Sequence, residues 1–239
     1  NIGRIGGFER DFNDDVNRRI NEFIEEFPAA LKEFEKMVLR NRIFMDRTIN
    51  VGSITPEKAL DYGFTGPNLR AAGVDYDVRV MSPYCSYNDF DFVIPVGTQG
   101  DTYDRFCVRQ EEMWQSLSII KQAMQKMPKG NYFADVPEFY LPPKDAVYNT
   151  MEGLIWHFKI VMGEVDVPKG QVYQSVEGGN GELGFYLVSN GGRQPFRLHF
   201  RRPCFIYYQA YTEMIKGAML SDAIITLSSL NVIAGELDA

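Results

Sequence analysis

Cysteine and histidine build most metal and nucleophilic sites, and this chain of 239 residues has three Cys and two His. Cys85, Cys107 and Cys204 form no C-x-x-C pair. Zinc and iron–sulfur sites need several ligands at close spacing, so these residues predict no metal centre of their own. Unpaired thiols in odd number fit a reducing compartment. His157 and His199 each lack a ligand partner nearby in the sequence, and His157 reads as a half-buried structural histidine on a helix. Two glycine-rich stretches, "EGGNGE" and "SNGGRQP", invite a phosphate-loop reading. Neither leads into a helix opened by Lys-Ser/Thr, so both read as turns. Arg197, Arg201 and Arg202 form a local basic patch that suits an anion, a partner's acidic face or a solvated strand edge equally. Arg105, Arg109 and Glu112 interrupt an otherwise apolar helical stripe. Spacing leaves open a solvated face with local ion pairs and an internal polar network between helices. The end of the chain, "SSLNVIAGELDA", sets Glu236 and Asp238 on an otherwise nearly apolar tail, which predicts packing rather than fraying.

A net charge of −7 argues against nucleic acid as a partner. The composition, 45% hydrophobic and 24% charged, is that of a globular protein large enough to bury a sizeable core. No apolar run is long enough to span a bilayer, which predicts that membrane contact passes through partners. No signal peptide is visible, and an opening "NIGRIGGF" without Met reads as the interior of a longer protein.

The elements that must position these groups are mainly helical. Two helices are expected over 14–42, separated at Pro28, with Val16, Ile20, Phe23 and Ile24 on one stripe and Leu31, Phe34, Met37 and Val38 on the next. "TPEKALDYG" predicts a short helix capped by Thr55 and stopped by Gly63, and "TGPNLRAAG" repeats the pattern. "NDFDFVIPVG" alternates like a strand. A long helix follows, capped at Asp101, with Phe106, Met113, Leu117, Ile120, Met124 and Met127 inward. Another is expected over 144–163 with Val147, Met151, Leu154, Ile155 and Phe158 inward. Strands at 171–176, 182–189 and 196–200 make an antiparallel meander. One or two helices close the chain, the second capped by Ser221 or Asp222 and too apolar all round for a surface. The expected fold class is therefore mainly α with a small antiparallel β-sheet (α+β): one domain over 1–239, helical to about 165, a β-meander over about 169–200, and C-terminal helices with a buried tail over 204–239.

Ordered blocks carry a family likeness: "RIGG" (4–7), "NRIFMDRTINVG" (41–52), "ALDYGFTGPNLRAAGVDYDVR" (59–79), "DFDFVIPVGTQGDTYDRFCVRQEEMWQSLSIIKQ" (89–122), "MEGLIWHFK" (151–159), "GELGFYLVSNGG" (181–192) and the final "GELDA". Together they resemble the D subunit (or fused C/D subunit) of NADH-quinone oxidoreductase, respiratory complex I, over essentially the whole chain, as its C-terminal portion. The resemblance implies a fold similar to the large subunit of nickel–iron hydrogenases. Those enzymes hold their metal with two C-x-x-C pairs, whereas "VIAGELDA" stands here where the second would be, and Ala, Gly, Glu, Leu and Asp offer no thiolate site. The resemblance implies that the old metal cavity serves as the head of a quinone chamber, beside the terminal iron–sulfur cluster of a B-type partner subunit.

On that resemblance the chamber candidates are Arg4, Arg201, Pro203, Phe205, Asn231, Ala234, Gly235, Glu236 and Asp238. None is catalytic, because the family's quinone ligands, a histidine and a tyrosine, belong to its N-terminal half. Quinone is the implied substrate. Iron–sulfur clusters, FMN and NADH belong to partner subunits, and no cofactor or metal is expected on this chain. Implied partners are the cluster-bearing B-type subunit, the C-type subunit and the membrane arm, at the cytoplasmic face of the inner (plasma) membrane. The tail departs from the family where an aspartate is usual at Asn231, an aromatic at Ala234 and an arginine at Ala239; losing that arginine removes a fixed cation and five donors. In "RRPCF", Arg202 and Cys204 are the unusual positions. Two other classes remain: a scaffold subunit without chemistry, and a hydrogenase large subunit, which would need the missing cysteine pairs. The isolated chain is expected to bind no stoichiometric nickel, iron or zinc. One equivalent of any of them by elemental analysis would overturn that.

Overall fold

A computed structural model of the chain describes residues 3–4, 6–136, 139–163 and 167–238. Ile5 and the Arg4 side chain, both in the expected "RIGG" block, and Ala239 at the tail's end lie outside the described residues. Contacts divide the chain into two compact units, one of residues 1–21, 127–173 and 186–199, the other of 22–126, 174–185 and 200–239. The division falls within the first helix and within each strand of the three-stranded sheet.

In the first unit, β1 (Gly3–Arg4) pairs antiparallel with β2 (Gly7–Phe8). Phe8 N donates to Tyr132 O at 3.0 Å and Ala134 N to Gly6 O at 2.7 Å. Gly7, at φ +144°, is so close that a Cβ would strike Tyr132 O. The helix expected over 144–163 is instead two, α7 (Lys144–Asn149) and α8 (Met151–Val161). Thr150 is extended (φ −129°, ψ 144°), and its hydroxyl accepts from Gly153 N at 3.1 Å, so it caps a new helix rather than continuing the old one. The break also overturns the expected inward face. What α8 turns to α7 is Gly153, whose Cβ would meet Ala146 O, while Met151 (67% exposed), Leu154, Ile155 and Phe158 face outward. His157 is half-buried.

α1 (Asp14–Val38) is continuous, in contrast to the two helices expected. Pro28 sits in its interior, where it removes one backbone hydrogen bond at a cost of about 3 kcal/mol. Asn13 caps the start through Val16 N at 2.9 Å, and acidic Asp14 and Asp15 suit the helix dipole there.

In the second unit α2 (Arg42–Thr48), α3 (Pro56–Asp61), α4 (Gly66–Ala71), α5 (Val78–Met81) and α6 (Thr102–Lys126) precede the sheet. Thr55 caps α3 as expected, accepting from Lys58 N. Of the strand expected over 88–97, Asn88 and Asp89 belong to a short 3-10 turn (Tyr87–Asp89), and 90–97 has no strand partner among the described residues. Side-chain amides of α6 take that place: Asp91 N donates to Gln122 Oε1 (2.9 Å), Gln122 Nε2 to Asp91 O (2.7 Å), and Val93 N to Gln115 Oε1 (3.0 Å). α6 reverses expectation. Of its predicted apolar stripe only Leu117 is buried, while Thr102, Arg105 and Gln110 point into the protein.

The meander is β3 (Gly170–Gly178), β4 (Gly181–Ser189) and β5 (Arg197–Arg201), antiparallel in the order β3-β4-β5, close to the predicted strands. It leads to α9 (Pro203–Met214), α10 (Leu220–Leu230) and α11 (Ala234–Asp238). The core gathers Phe64, Leu69, Tyr207, Ala210 and Leu230 from α9, α10 and the α3–α4 region. α10 is not apolar all round in its packing. It buries Asp222, Thr226 and Leu230, at four-residue spacing, and leaves Ile224 64% exposed. The helix starts earlier than expected, with Met219 rather than Ser221 or Asp222 at the N-cap. Asp222, at the third helical position, accepts from Met219 N at 3.2 Å and pairs with Arg47 of α2 at 2.6 Å, which draws it inward.

Two backbones cross closely where Gly66 meets Gly181. A Cβ on Gly181, at φ +128°, would strike the Tyr207 hydroxyl and come within 2.7 Å of Thr65 Oγ1. Gly181→Ala is expected to cost about 2–3 kcal/mol through strain and collision, read as a lower denaturant midpoint with an unchanged slope. An unchanged midpoint would show that the crossing yields freely.

Candidate functional site

α9 starts on Pro203, which fits a first helical turn because its missing N–H has no intrahelical acceptor there. Arg202 supplies no side-chain cap. The cap comes from the chain's end: Glu236 Oε2 accepts from Cys204 N at 2.9 Å. A carboxylate at that position meets the positive end of the helix dipole. The tail reaches it because Asn231 ends α10 in the left-handed region (φ 56°, ψ 49°), a conformation Asn tolerates, and turns the chain into α11. Asn231 Nδ2 donates to Asn180 Oδ1 (2.6 Å). Asn180 Nδ2 donates to Cys204 Sγ (3.3 Å), and the thiol faces Asn231 O at 3.7 Å. Three sequence-distant positions thus close one ring of contacts.

Beside this ring, Arg201 donates from Nη1 to Glu182 O (2.8 Å) and Thr65 Oγ1 (3.3 Å), and from Nη2 to Gly63 O (3.0 Å). It is an anchor held by three hydrogen bonds, rather than a free edge cation. Pro203 is buried; Phe205 is exposed beneath the Arg202 guanidinium, 5.1 Å from its ring centre. Ala234, Gly235 and Asp238 are exposed on the outer side of the tail. The expected residues Arg201, Pro203, Asn231 and Glu236 therefore converge, while Phe205, Ala234, Gly235 and Asp238 are exposed around them. Arg4 lies on β1, and its side chain is outside the described residues.

Asn180, Glu182 and Thr65 escaped sequence reasoning. Asn180 looked like a turn residue in "EGGNGE", and nothing local marks a turn that faces a thiol. A second buried cluster was equally invisible. Arg70 meets Glu112 (2.5 Å), Glu177 (2.9 Å) and Asp77 (3.4 Å). Burial lowers the Arg70 pKa, but the three carboxylates outweigh it and hold it above the usual range. Glu177 also accepts from Val78 N, and burial raises its pKa against the pull of Arg70.

Arg105 and Arg109 settle the choice left open by spacing: both belong to an internal network. Arg105 is fully buried and donates to Gly100 O (2.8 Å), Gly52 O (2.9 Å), Ser229 Oγ (2.9 Å) and Thr102 Oγ1 (3.0 Å). All of these acceptors are neutral, and burial pulls Arg105 down to about 9, still protonated at neutral pH. Arg109 donates to Asn68 Oδ1 (2.9 Å) and Arg105 O (3.2 Å). Among the described residues, no group of three or more His, Cys, Asp or Glu is arranged to hold a metal ion. Nor is any helix among them long and apolar enough to cross a membrane.

A mainly helical chain in which the Glu236 side chain caps α9 can be set beside known proteins. Residues 1–239 match the family described as "Respiratory-chain NADH dehydrogenase, 49 Kd subunit", and the chain belongs to it. Among its relatives, the D subunit of NADH-quinone oxidoreductase from Flavobacterium johnsoniae is 72% identical over 240 residues, covering 100% of this chain and 58% of the relative. A D subunit of NADH-quinone oxidoreductase from Cytophaga hutchinsonii, the second so numbered in that organism, is 71% identical, covering 100% of this chain and 62% of the relative. The corresponding D subunit from Myxococcus xanthus is 47% identical over 99% of this chain and 57% of its own length. The chain spans about three fifths of the curated relatives it matches.

Burial, reinforced by Glu236, pushes the Cys204 thiol up from 9.0 to about 11. A folded-state pKa raised above the unfolded value means that the group's contribution to stability is fully present below pH 9 and is lost as pH rises through 11. Iodoacetamide at pH 8 is expected to alkylate exposed Cys85 in the native protein and spare Cys204 until denaturant is added. Equal native alkylation of the two would overturn this account of the ring.

Proposed function

We propose that this chain is part of the quinone-reducing module of a proton-pumping NADH-quinone oxidoreductase. In this reading Arg201, Pro203, Phe205, Asn231, Ala234, Gly235, Glu236 and Asp238 border the quinone chamber, next to the terminal iron–sulfur cluster of a B-type partner. The observation that carries it is the folded-back tail. Glu236 and Asn231 are tied to buried Cys204 and Asn180, yet Ile233, Ala234, Gly235 and Phe205 remain exposed. A frayed end would not be fastened from beneath, and an apolar surface held in one position suits burial against a partner and a quinone's apolar body. The names of the relatives, which pair NADH with a quinone, support the same reading.

The chain's share of the mechanism is to shape and exclude water. Arg201, hydrogen-bonded to Gly63, Thr65 and Glu182, holds the start of α9 in place. Glu236 fixes the tail on that helix. Electrons reach the quinone by proximity from the partner's cluster. FMN, NADH and the remaining clusters act in other subunits, and the C-type subunit and membrane arm complete the assembly at the cytoplasmic face of the membrane. No group here supplies the quinone's proton; that role falls to the N-terminal half of the full-length subunit.

The test removes residues 232–239 from the full-length subunit and measures quinone reduction by the complex, with assembly followed on a native gel. An assembled complex whose quinone reduction falls at least about tenfold, or about 1.4 kcal/mol in transition-state terms, supports the chamber. Normal turnover in an assembled complex would make this end of the chain a scaffold.

A further inference from the structure

A cavity of about 320 Å³ opens between α2, α6 and α10, all within the second unit. Its apolar wall is Phe44, Phe106 and Ile225, the two rings packed edge-on with centres 5.0 Å apart. Its polar side includes Arg109, Thr102 and Ser229, and Asn231 joins it to the tail. Among the described residues that line it, none is Asp or Glu.

Among the described residues, no carboxylate hydrogen-bonds to the cations beneath this cavity. Arg105 and Arg109 stand one turn apart on α6, and the acceptors that meet them are neutral carbonyl, amide and hydroxyl oxygens. Nearby acids are engaged elsewhere. Asp101 accepts from Asn50 N (2.7 Å) and Asp104 N (2.8 Å). Asp104 accepts from Thr98 N and Gln99 N, and Glu112 pairs with Arg70. A guanidinium carries five N–H donors, and Arg109 Nε is buried with no acceptor among the described residues. Burial lowers the pKa of both arginines, and the carboxylates that oppose it, Glu112 for Arg109 and Asp101 and Asp104 for Arg105, do so without a hydrogen bond to either guanidinium.

We propose that this cavity binds a carboxylate carried on a small apolar body, with Arg109 as its counter-charge and the Phe44–Phe106 wall taking the apolar part. A neutral ligand would gain only the wall. An inorganic anion would gain only the cation, and would leave the rings facing water. A carboxylate on an aromatic or aliphatic body uses both, and a charge-assisted hydrogen bond in a partly dry site is among the stronger polar contacts a protein makes. Two sources share this chemistry: a free organic acid, and an Asp or Glu side chain of a chain that abuts the cavity on assembly. The cavity takes its carboxylate whether or not residues 231–238 border a quinone.

The test uses a trifluoromethyl-diazirinyl benzoate as photolabel on the full-length subunit, alone and within its assembled complex, with the corresponding benzyl alcohol as the neutral control and mass spectrometry to map adducts. The benzoate is expected to label residues 44, 102–109 and 225–231, to be competed by plain benzoate, and to exceed the alcohol about tenfold. Arg109→Gln should remove most of that preference and Arg109→Lys keep part of it. Ile225→Trp should block labelling by filling the cavity while leaving the cation in place. Labelling of the lone subunit that disappears on assembly assigns the carboxylate to an abutting chain, and labelling in both states assigns it to a free acid. Equal labelling by the neutral alcohol, or none by millimolar benzoate in either state, overturns the proposal; both comparisons use the unaltered protein, so they stand even if the variants fail to fold.

Discussion

Two guanidinium groups without water set the terms for the second unit. Arg70 is 1% exposed and Arg105 is fully buried, and moving such a charge out of water costs several kcal/mol even after the protein relaxes. Each is tolerable only because neighbouring elements converge on it. Arg70 draws carboxylates from α5's cap, α6 and β3, and Arg105 draws carbonyls from the loops before α3 and α6 and hydroxyls from α6 and α10. The helices are consequently held in register by directional contacts as well as by apolar packing. A slip of one turn would strand a buried cation, and the penalty for that exceeds what a repacked leucine could recover.

The two clusters solve the same problem differently. Arg70 sits among three acids, one of which, Asp77, also pairs with Arg79 at 2.6 Å, and Glu177 is a carboxyl group whose pKa burial raises against the pull of Arg70. Arg105 and Arg109 donate to neutral oxygens, and no carboxylate among the described residues hydrogen-bonds to either. α6 carries both, with Glu112 turned to one cluster and Arg105 to the other. The tail is built on this frame. Asn231 leaves α10 just past Ser229, an acceptor of Arg105, and Glu236 closes on the helix that Arg201 steadies. Where the terminal residues lie is therefore decided several elements away from them.

Much of the architecture was legible from local rules. The Thr55 cap with Pro56, the glycine-bounded α4, the long α6 and the three strands follow from capping, turn chemistry and period, which act within a few residues. The failures share a cause. α1 runs through Pro28 because twenty-five residues of otherwise continuous helix outweigh one lost hydrogen bond. Thr150 splits α7 from α8 because its hydroxyl serves as a cap, an alternative that hydrophobic spacing does not register. The 90–97 segment alternates like a strand, yet its backbone is met by glutamine side chains from α6, and only a distant element could supply them.

By itself the sequence determined the helical class, the small antiparallel sheet and the family, because composition, capping and ordered motifs are properties of neighbours along the chain. It also singled out Arg201, Asn231 and Glu236. Tertiary structure alone decided that Arg105 and Arg109 are inside, that Asn180 faces the Cys204 thiol, and that Glu236 caps α9. A buried polar group is satisfied by partners that can lie tens to over a hundred residues away, and one-dimensional spacing carries no record of which residues those are.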